Sequence, residues 1–271
     1  MTTEKLYLKD IQSAYKTRFN GKIVNIEENK IILDRSLFYP IGGGQNWDLG
    51  YLEGNNGKIA VTEVRGRDSI EHYVEPNHQF SVGDEIIGSI DWERRYSHMK
   101  MHTAQHLMSG LAYEIFNNTR TVGNQIHSTH SRIDFNPISF TEEMLETLAN
   151  KANELTNQSI IVDDGIMTRE EINSIMPPER TNMNLLPKSV RDLRVVKIGD
   201  DIDLCPCAGT HVSNLIEIGS VNIIGKKSKG KGTQRITYEL SPSNNIQQPD
   251  LVPSELDKAP HPMMAPGQTL H

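Results

Sequence analysis

From Asp91 to Phe116 the chain reads DWERRYSHMKMHTAQHLMSGLAYEIF, without a proline, and Tyr96, Met99, Leu107, Leu111 and Ile115 fall close to one helical repeat. Asp91 is a natural N-cap, so the stretch predicts a long helix, buried on most sides. Everything before it has another character. Residues 18 to 90 hold short Ile- and Val-rich runs such as Lys22–Leu33 and Ile59–Val64, bounded by Asn-Gly, Gly-Asn-Asn-Gly and Val-Gly-Asp turn signals. Frequent short strands of this kind predict a small barrel or sandwich.

Beyond the long helix the two patterns mix. Thr141 can cap a second helix to Gln158, with Glu142 and Glu143 favourable in its first turn. Thr168 and Glu171 form a capping box for a third, which must stop before Pro177 and Pro178. Strand-like runs lie at Ser131–Phe135, Ser159–Val162, Leu193–Ile198, Ile216–Ile224 and Gln234–Leu240. Helices on a mainly antiparallel sheet is the economical arrangement, so the fold class is α+β. The expected division is a barrel over 1–90, an α+β domain over 91–241 and a tail over 242–271. The tail collects Pro242, Pro249, Pro253, Pro260, Pro262 and Pro266 and has no aromatic residue, which predicts a mobile or surface-draped segment.

Composition narrows the class. The 271 residues are 36% hydrophobic and carry a formal net charge of −7, ordinary for a soluble globular protein. No run approaches the roughly 18 consecutive apolar residues of a membrane span, and the start, MTTEKLYLKD, lacks a signal-peptide core, so a cytoplasmic location is expected. The acidic balance argues against nonspecific coating of nucleic acid but not against a local basic site. The two cysteines, Cys205 and Cys207, are one residue apart, poor geometry for a disulfide. In a cytoplasmic chain they read as thiols, free or metal-bound.

Four features carry chemistry. His102 and His106 stand four apart in HTAQH, which puts both imidazoles on one helix face, as zinc sites require. His98 extends the stripe by a turn, and such a stripe can equally be a polar face. In CPCAGTH, Cys207 and His211 are again four apart. Together the two pairs make a Cys/His₃ donor set suited to zinc. Thr103 occupies the position where a zinc peptidase of the HExxH type carries its glutamate, which disfavours that activity. No acid adjoins the helical histidines in sequence, so no protein general base is evident. Phe38-Tyr39-Pro40-Ile41-Gly42-Gly43-Gly44-Gln45 offers a loop able to approach another surface closely, with an amide at its end. Lys226, Lys227, Lys229, Lys231 and Arg235 crowd GKKSKGKGTQR with no acid between them, either a solvated hairpin or a phosphate-contacting loop.

In order, FYPIGGGQ, WERRYSHMKMHTAQHLMSG, SRIDFN, LRVVKIGDDIDLCPCAGTHV, GSVNII and GKGTQRI resemble the editing domain of alanyl-tRNA synthetase. More closely, they resemble the free-standing alanyl-tRNA editing proteins of the AlaX type that carry a glycine-rich motif. The likeness runs from about Leu6 to Leu240. It implies an N-terminal β-barrel bearing GGGQ, an editing domain shared with threonyl-tRNA synthetase, and zinc at His102, His106, Cys207 and His211. It further implies hydrolysis of the ester joining serine, and in some cases glycine, to tRNA(Ala). Such editing is needed because a pocket sized for alanine rejects an analogue with an added hydroxyl only weakly. Gln45 and Thr103 are the candidate catalytic contacts, Thr103 toward the seryl hydroxyl. Lys226, Lys227, Lys229, Lys231 and Arg235 are the candidate tRNA contacts. Ala208 replaces the usual glycine of CGGTH, Asn46 stands where proline is frequent, and Cys205 is an extra thiol able to compete with Cys207. Two other readings stay open: a zinc-stabilised tRNA-binding module without hydrolysis, and an editor of Ser-tRNA(Thr).

Overall fold

The computed structural model describes residues 2–180, 183 and 190–242. The expected tail, from residue 243 onward, lies outside them. The chain opens with β1 (Glu4–Lys5), β2 (Arg18–Glu27), β3 (Lys30–Leu33), β4 (Arg35–Ser36), β5 (Gly50–Gly54), β6 (Gly57–Arg65), β7 (Glu71–Val74) and β8 (Glu85–Ile90). Six of these close a barrel in the order β2-β3-β7-β6-β5-β8, every ladder antiparallel. The sandwich alternative is thereby excluded. The alternation read in Lys22–Leu33 puts Ile23, Ile31 and Leu33 inside, with Phe19, Phe38, Leu52, Val64, Ile70 and Val74. Closure leaves the barrel itself without a free edge.

The predicted long helix is α1 (Trp92–Ile115), capped by Asp91, whose carboxylate accepts from the Arg94 amide. Most of its length from Arg95 to Ala112 is buried. Around it lie β9 (Arg120–Gln125), β10 (Ser131–Asn136), α2 (Glu142–Thr156), β11 (Val162–Thr168), α3 (Arg169–Ile175), β12 (Asp192–Ile198), β13 (Asp203–Pro206), β14 (Ser220–Gly230) and β15 (Thr233–Ser241). Thr141 caps α2, and Thr168 with Glu171 forms the expected box at α3. Two antiparallel sheets result, β14-β15-β10-β9 and β11-β12-β13. Met99, Leu107 and Leu111 of α1 share one core with Leu148 of α2, Phe135 and Tyr238 of the first sheet and Val196 of the second. The fold class is α+β. No helix among the described residues is long and apolar enough to cross a membrane.

The differences from expectation are local. β9 and β13 were not anticipated. The run at Ser159–Val162 becomes a strand only from Val162 and continues through Asp163, Asp164 and Gly165, where seven ladder pairs with β12 override poor strand propensity. The run at Ile216–Ile224 starts as a turn of 3₁₀ helix closed by an Asn214–Glu217 capping box.

The barrel and α1 are joined through Arg95, which is fully buried. Its guanidinium meets both carboxylate oxygens of Asp48 and donates to Ala14 O (3.0 Å) and Leu37 O (2.6 Å). Asp48 also accepts from the Tyr39 amide at 2.7 Å. Removing one partner of such a pair strands a buried charge, at about 3–5 kcal/mol.

Candidate metal centre

One turn of α1 and one tight loop build the centre. His102 and His106 project from the same face of α1, and Cys207 and His211 come from the loop after β13. Their donor atoms all lie within 4.8 Å of one another. Cys207 Sγ is 3.6 Å from His102 Nε2 and 3.3 Å from His211 Nε2. Donors on a tetrahedral zinc, with about 2.3 Å to sulfur and about 2.05 Å to nitrogen, stand about 3.6 Å apart. The four residues therefore fit a metal ion of this kind.

Each imidazole is held from behind at Nδ1. His102 donates to Gln45 Oε1 (2.8 Å) and His106 to Asp203 Oδ2 (2.9 Å). His211 Nδ1 is 3.1 Å from Thr103 Oγ1, which itself donates to Met99 O (2.9 Å) and accepts from the Val212 amide (3.2 Å). The Nε2 atoms are thus left for the common centre. Outer partners of this kind fix ring orientation and tautomer in metal sites.

Electrostatics follow the same geometry. Burial alone would raise the Cys207 thiol, but His102 and His211 outweigh it and hold it well below the ordinary value. Burial lowers His106, yet Asp203 and Cys207 overcome this and raise it to about 10. Burial and His102 hold His211 well below the usual imidazole value.

The loops owe their shape to three glycines. Gly42–Gln45 is a tight turn closed by Gln45 N donating to Gly42 O (2.9 Å), and Gly43 and Gly44 sit at φ +57° and +86°, both positive as a type I′ turn requires. The turn lies on the end of β9, with the Ile126 amide donating to Gly44 O (2.7 Å) and the Asn46 amide to Ile126 O (3.2 Å). Asn46 therefore supplies an N–H that a proline there would lack. At Gly209 a Cβ would stand 2.2 Å from the His102 ring, whereas Ala208, the departure from CGGTH, is exposed at the cavity wall. Arg194 grips this loop by donating to Cys207 O (2.8 Å) and Gly209 O (3.2 Å).

The sequence-selected residues divide in space. Gln45 reaches from the barrel to both His102 and Thr210, donating Nε2 to Thr210 Oγ1 (2.9 Å). Thr103 is fully buried, and the three bonds of its hydroxyl place it behind His211. Cys205 stays outside the cluster as a thiol raised by burial, Asp203 and Cys207. His98 is buried with neither ring nitrogen partnered. Of the basic group, Lys226 is bound to Glu142 (2.6 Å) and Arg235 to Asp134 (2.6 and 2.8 Å), so acids remote in sequence engage two of the five. Lys227, Lys229 and Lys231 are exposed at the β14–β15 hairpin. No acid adjoins the helical histidines in sequence, but β13 delivers Asp203 to His106 from 97 positions away.

The centre opens into a cavity of about 690 Å³ between barrel and α1, lined among others by Tyr39, Gly43, His102, His106, Asp203 and Cys207.

Against known proteins, the family described as "Threonyl and Alanyl tRNA synthetase second additional domain" matches residues 193–237, and "tRNA synthetases class II (A)" matches residues 4–94. The chain is 37% identical over 244 residues to the alanyl-tRNA editing protein AlaX-M of Saccharolobus solfataricus, covering 89% of this chain and 100% of the relative. The chain belongs to the AlaX-M family. It is also 32% identical to AlaX-M of Methanosarcina barkeri, covering 88% of this chain and 99% of that one. To the alanine–tRNA ligase of Sulfurisphaera tokodaii it is 32% identical over 87% of this chain but 26% of the ligase.

Proposed function

We propose that the protein is a zinc-dependent deacylase of mischarged tRNA(Ala), acting chiefly on Ser-tRNA(Ala) and also on Gly-tRNA(Ala). The observation that carries this is the arrangement of three histidines, each anchored at Nδ1 and converging with a thiolate beside a cavity large enough for an aminoacyl-adenosine. His102, His106, Cys207 and His211 would hold the metal. Bound there, zinc would supply Lewis acidity toward the ester and its attacking water, or anchor the substrate amino group.

The chain's own residues do the rest. Asp203, Gln45 and Thr103 keep the Nδ1 protons in place and so fix the donor geometry, which is the role the structure supports for Gln45 and Thr103. The cavity wall along α1 is polar: Gln105 donates to Ser109 Oγ (2.8 Å) and accepts from Asn124 Nδ2 (3.2 Å). A seryl hydroxyl finds further partners on such a wall, which an alanyl methyl cannot use, the type of contact by which a hydrolytic site discriminates. An aminoacyl ester is intrinsically labile, so orientation supplies much of the required acceleration. Lys227, Lys229 and Lys231 would meet tRNA phosphates outside the cavity, with Lys226 and Arg235 shaping the hairpin through their acids.

A second reading has an observation of its own: four protein donors leave a tetrahedral ion no vacancy, the pattern of a structural zinc. One assay separates the two. Purified protein is given Ser-, Gly- and Ala-tRNA(Ala) and Ser-tRNA(Thr), with and without chelator, while circular dichroism follows the fold. Hydrolysis of Ser-tRNA(Ala) that disappears on metal removal from a folded protein is expected. Tight tRNA binding without deacylation overturns the reading, and preferential hydrolysis of Ser-tRNA(Thr) overturns the assigned tRNA.

A further inference from the structure

We propose that the mouth of the cavity is a phosphate clamp for the single-stranded 3′ end of the tRNA, formed by Lys5 and Arg67 from the barrel side and Arg120 from the sheet side. The inference deepens the deacylase reading and rests on it. Three observations converge.

The first is charge. Acids outnumber Lys and Arg by 35 to 28 over the chain, yet the cavity is lined by Lys5, Arg67, Arg120 and Arg180 against one acid, Asp203. Asp203 is engaged by His106, and Arg180 by Ile202 O (2.7 Å) and the Tyr113 ring. Among the described residues the side chains of Lys5, Arg67 and Arg120 pair with no acid. A field of one sign in a cleft concentrates a ligand of the other.

The second is position. Lys5 ends β1, Arg67 lies in the turn between β6 and β7, and Arg120 begins β9, so the three come from elements on both sides of the opening. The span is preformed because Arg95–Asp48 and Gln45–His102 join barrel to α1 through buried groups. Preformed contacts avoid the cost of ordering loops on binding.

The third is continuity. Arg120 pairs with Asn136 across the β9–β10 ladder, and Asn136 Nδ2 donates to Lys231 O (3.0 Å) and Thr233 Oγ1 (2.9 Å). The cavity mouth and the lysine hairpin therefore share one end of the sheet, two strand spacings, about 10 Å, apart. A backbone entering over Lys229 and Lys231 passes Arg120 on its way into the cavity.

The test compares wild type with Lys5→Ala/Arg67→Ala/Arg120→Ala on two substrates: Ser-tRNA(Ala), and 3′-O-seryl-adenosine, which has no phosphate. For the tRNA, KM rises at least tenfold with kcat nearly held. Each lost single-strand phosphate contact removes about 0.7 from the log–log salt slope, so the slope flattens by about 2. The loss in kcat/KM on seryl-adenosine is at least tenfold smaller. Arg67→Lys in the otherwise wild-type chain keeps the wild-type salt slope. An unchanged KM and slope on the tRNA, or equal losses on both substrates, overturn the clamp. A wild type that hydrolyses neither substrate overturns the deacylase reading instead.

Discussion

The barrel and the half that follows it each bury histidines, and they do so to opposite ends. In the barrel, His72 is completely enclosed and spends both nitrogens at home, Nδ1 on Ile31 O (2.9 Å) and Nε2 on Ser36 Oγ (2.8 Å), with its ring edge-on to Phe38. Beyond Asp91, His102, His106 and His211 are as deeply buried, but each spends one nitrogen on the protein and leaves the other facing a shared point. Burial therefore does not mark function. The nitrogen left over does, because a buried polar atom without a partner is costly unless something arrives to satisfy it. His98, with neither nitrogen partnered, belongs to neither class, and its imidazole is pushed down to about 3 by burial and then by Arg94 and Arg95.

The largest effect that tests this contrast is loss of a donor. His106→Ala or Cys207→Ser removes one of four proposed donors and is expected to lower bound zinc well below one per chain and deacylation by on the order of 10³-fold or more. His72→Gln, by contrast, is expected to keep full zinc in whatever fraction folds. Metal content by mass spectrometry alongside initial rates checks both. Full zinc in His106→Ala would break the ligand assignment, and a metal-free but folded His72→Gln would erase the distinction between the two regions.

What the chain's sequence makes legible is governed by separation. The barrel's alternation, the long helix, its cap at Asp91 and the four donors all follow from spacings of two to four residues, which local geometry converts directly into shared faces. Asp203 and Arg95 could not be found that way. Asp203 meets His106 only because β13 lies against α1, although its alternation with Cys205 and Cys207 hints that the three share a strand face. Arg95 reads as a solvated helix charge, and only the barrel's Asp48 makes its burial possible. The lysine cluster shows the reverse case, since Asp134 from β10 and Glu142 from the start of α2 reach it and neutralise part of a charge run that is uninterrupted in sequence. β9 was hidden because RTVGNQ owes its strand conformation to β10, not to its own pattern.

A smaller effect sharpens what "left over" means. Asp203→Asn keeps an oxygen for the His106 Nδ1 proton but removes the charge that, together with Cys207, raises this imidazole to about 10. Zinc affinity is expected to fall about 10–100-fold, as for other outer carboxylates, with ligand number intact. Competition with a chromogenic chelator measures it. In the metal-free protein the same variant lowers the His106 pKa, visible by NMR. An affinity equal to wild type would mean that the thiolate and ring packing alone orient His106, and that the acid behind it is dispensable.

The smallest effect is on stability and falls on the barrel alone. Burial depresses His72 from 6.5 to about 4, only partly opposed by its bond to Ile31 O. Its folded form is neutral, so the contribution is complete above the unfolded value of about 6.5 and is lost as pH falls toward about 4, where the folded ring also protonates. Between pH 7 and pH 5.5 the loss is about 1 kcal/mol from this residue. His98 contributes with the same sign and remains in place in a His72→Gln variant, so the comparison isolates one proton. Urea unfolding at the two pH values is expected to show a pH dependence weaker by about 1 kcal/mol in His72→Gln than in wild type. If both chains lose the same stability, His72 is already charged or already solvated in the folded barrel. The contrast between a satisfied structural histidine and three half-satisfied ligands would then fail on the barrel side.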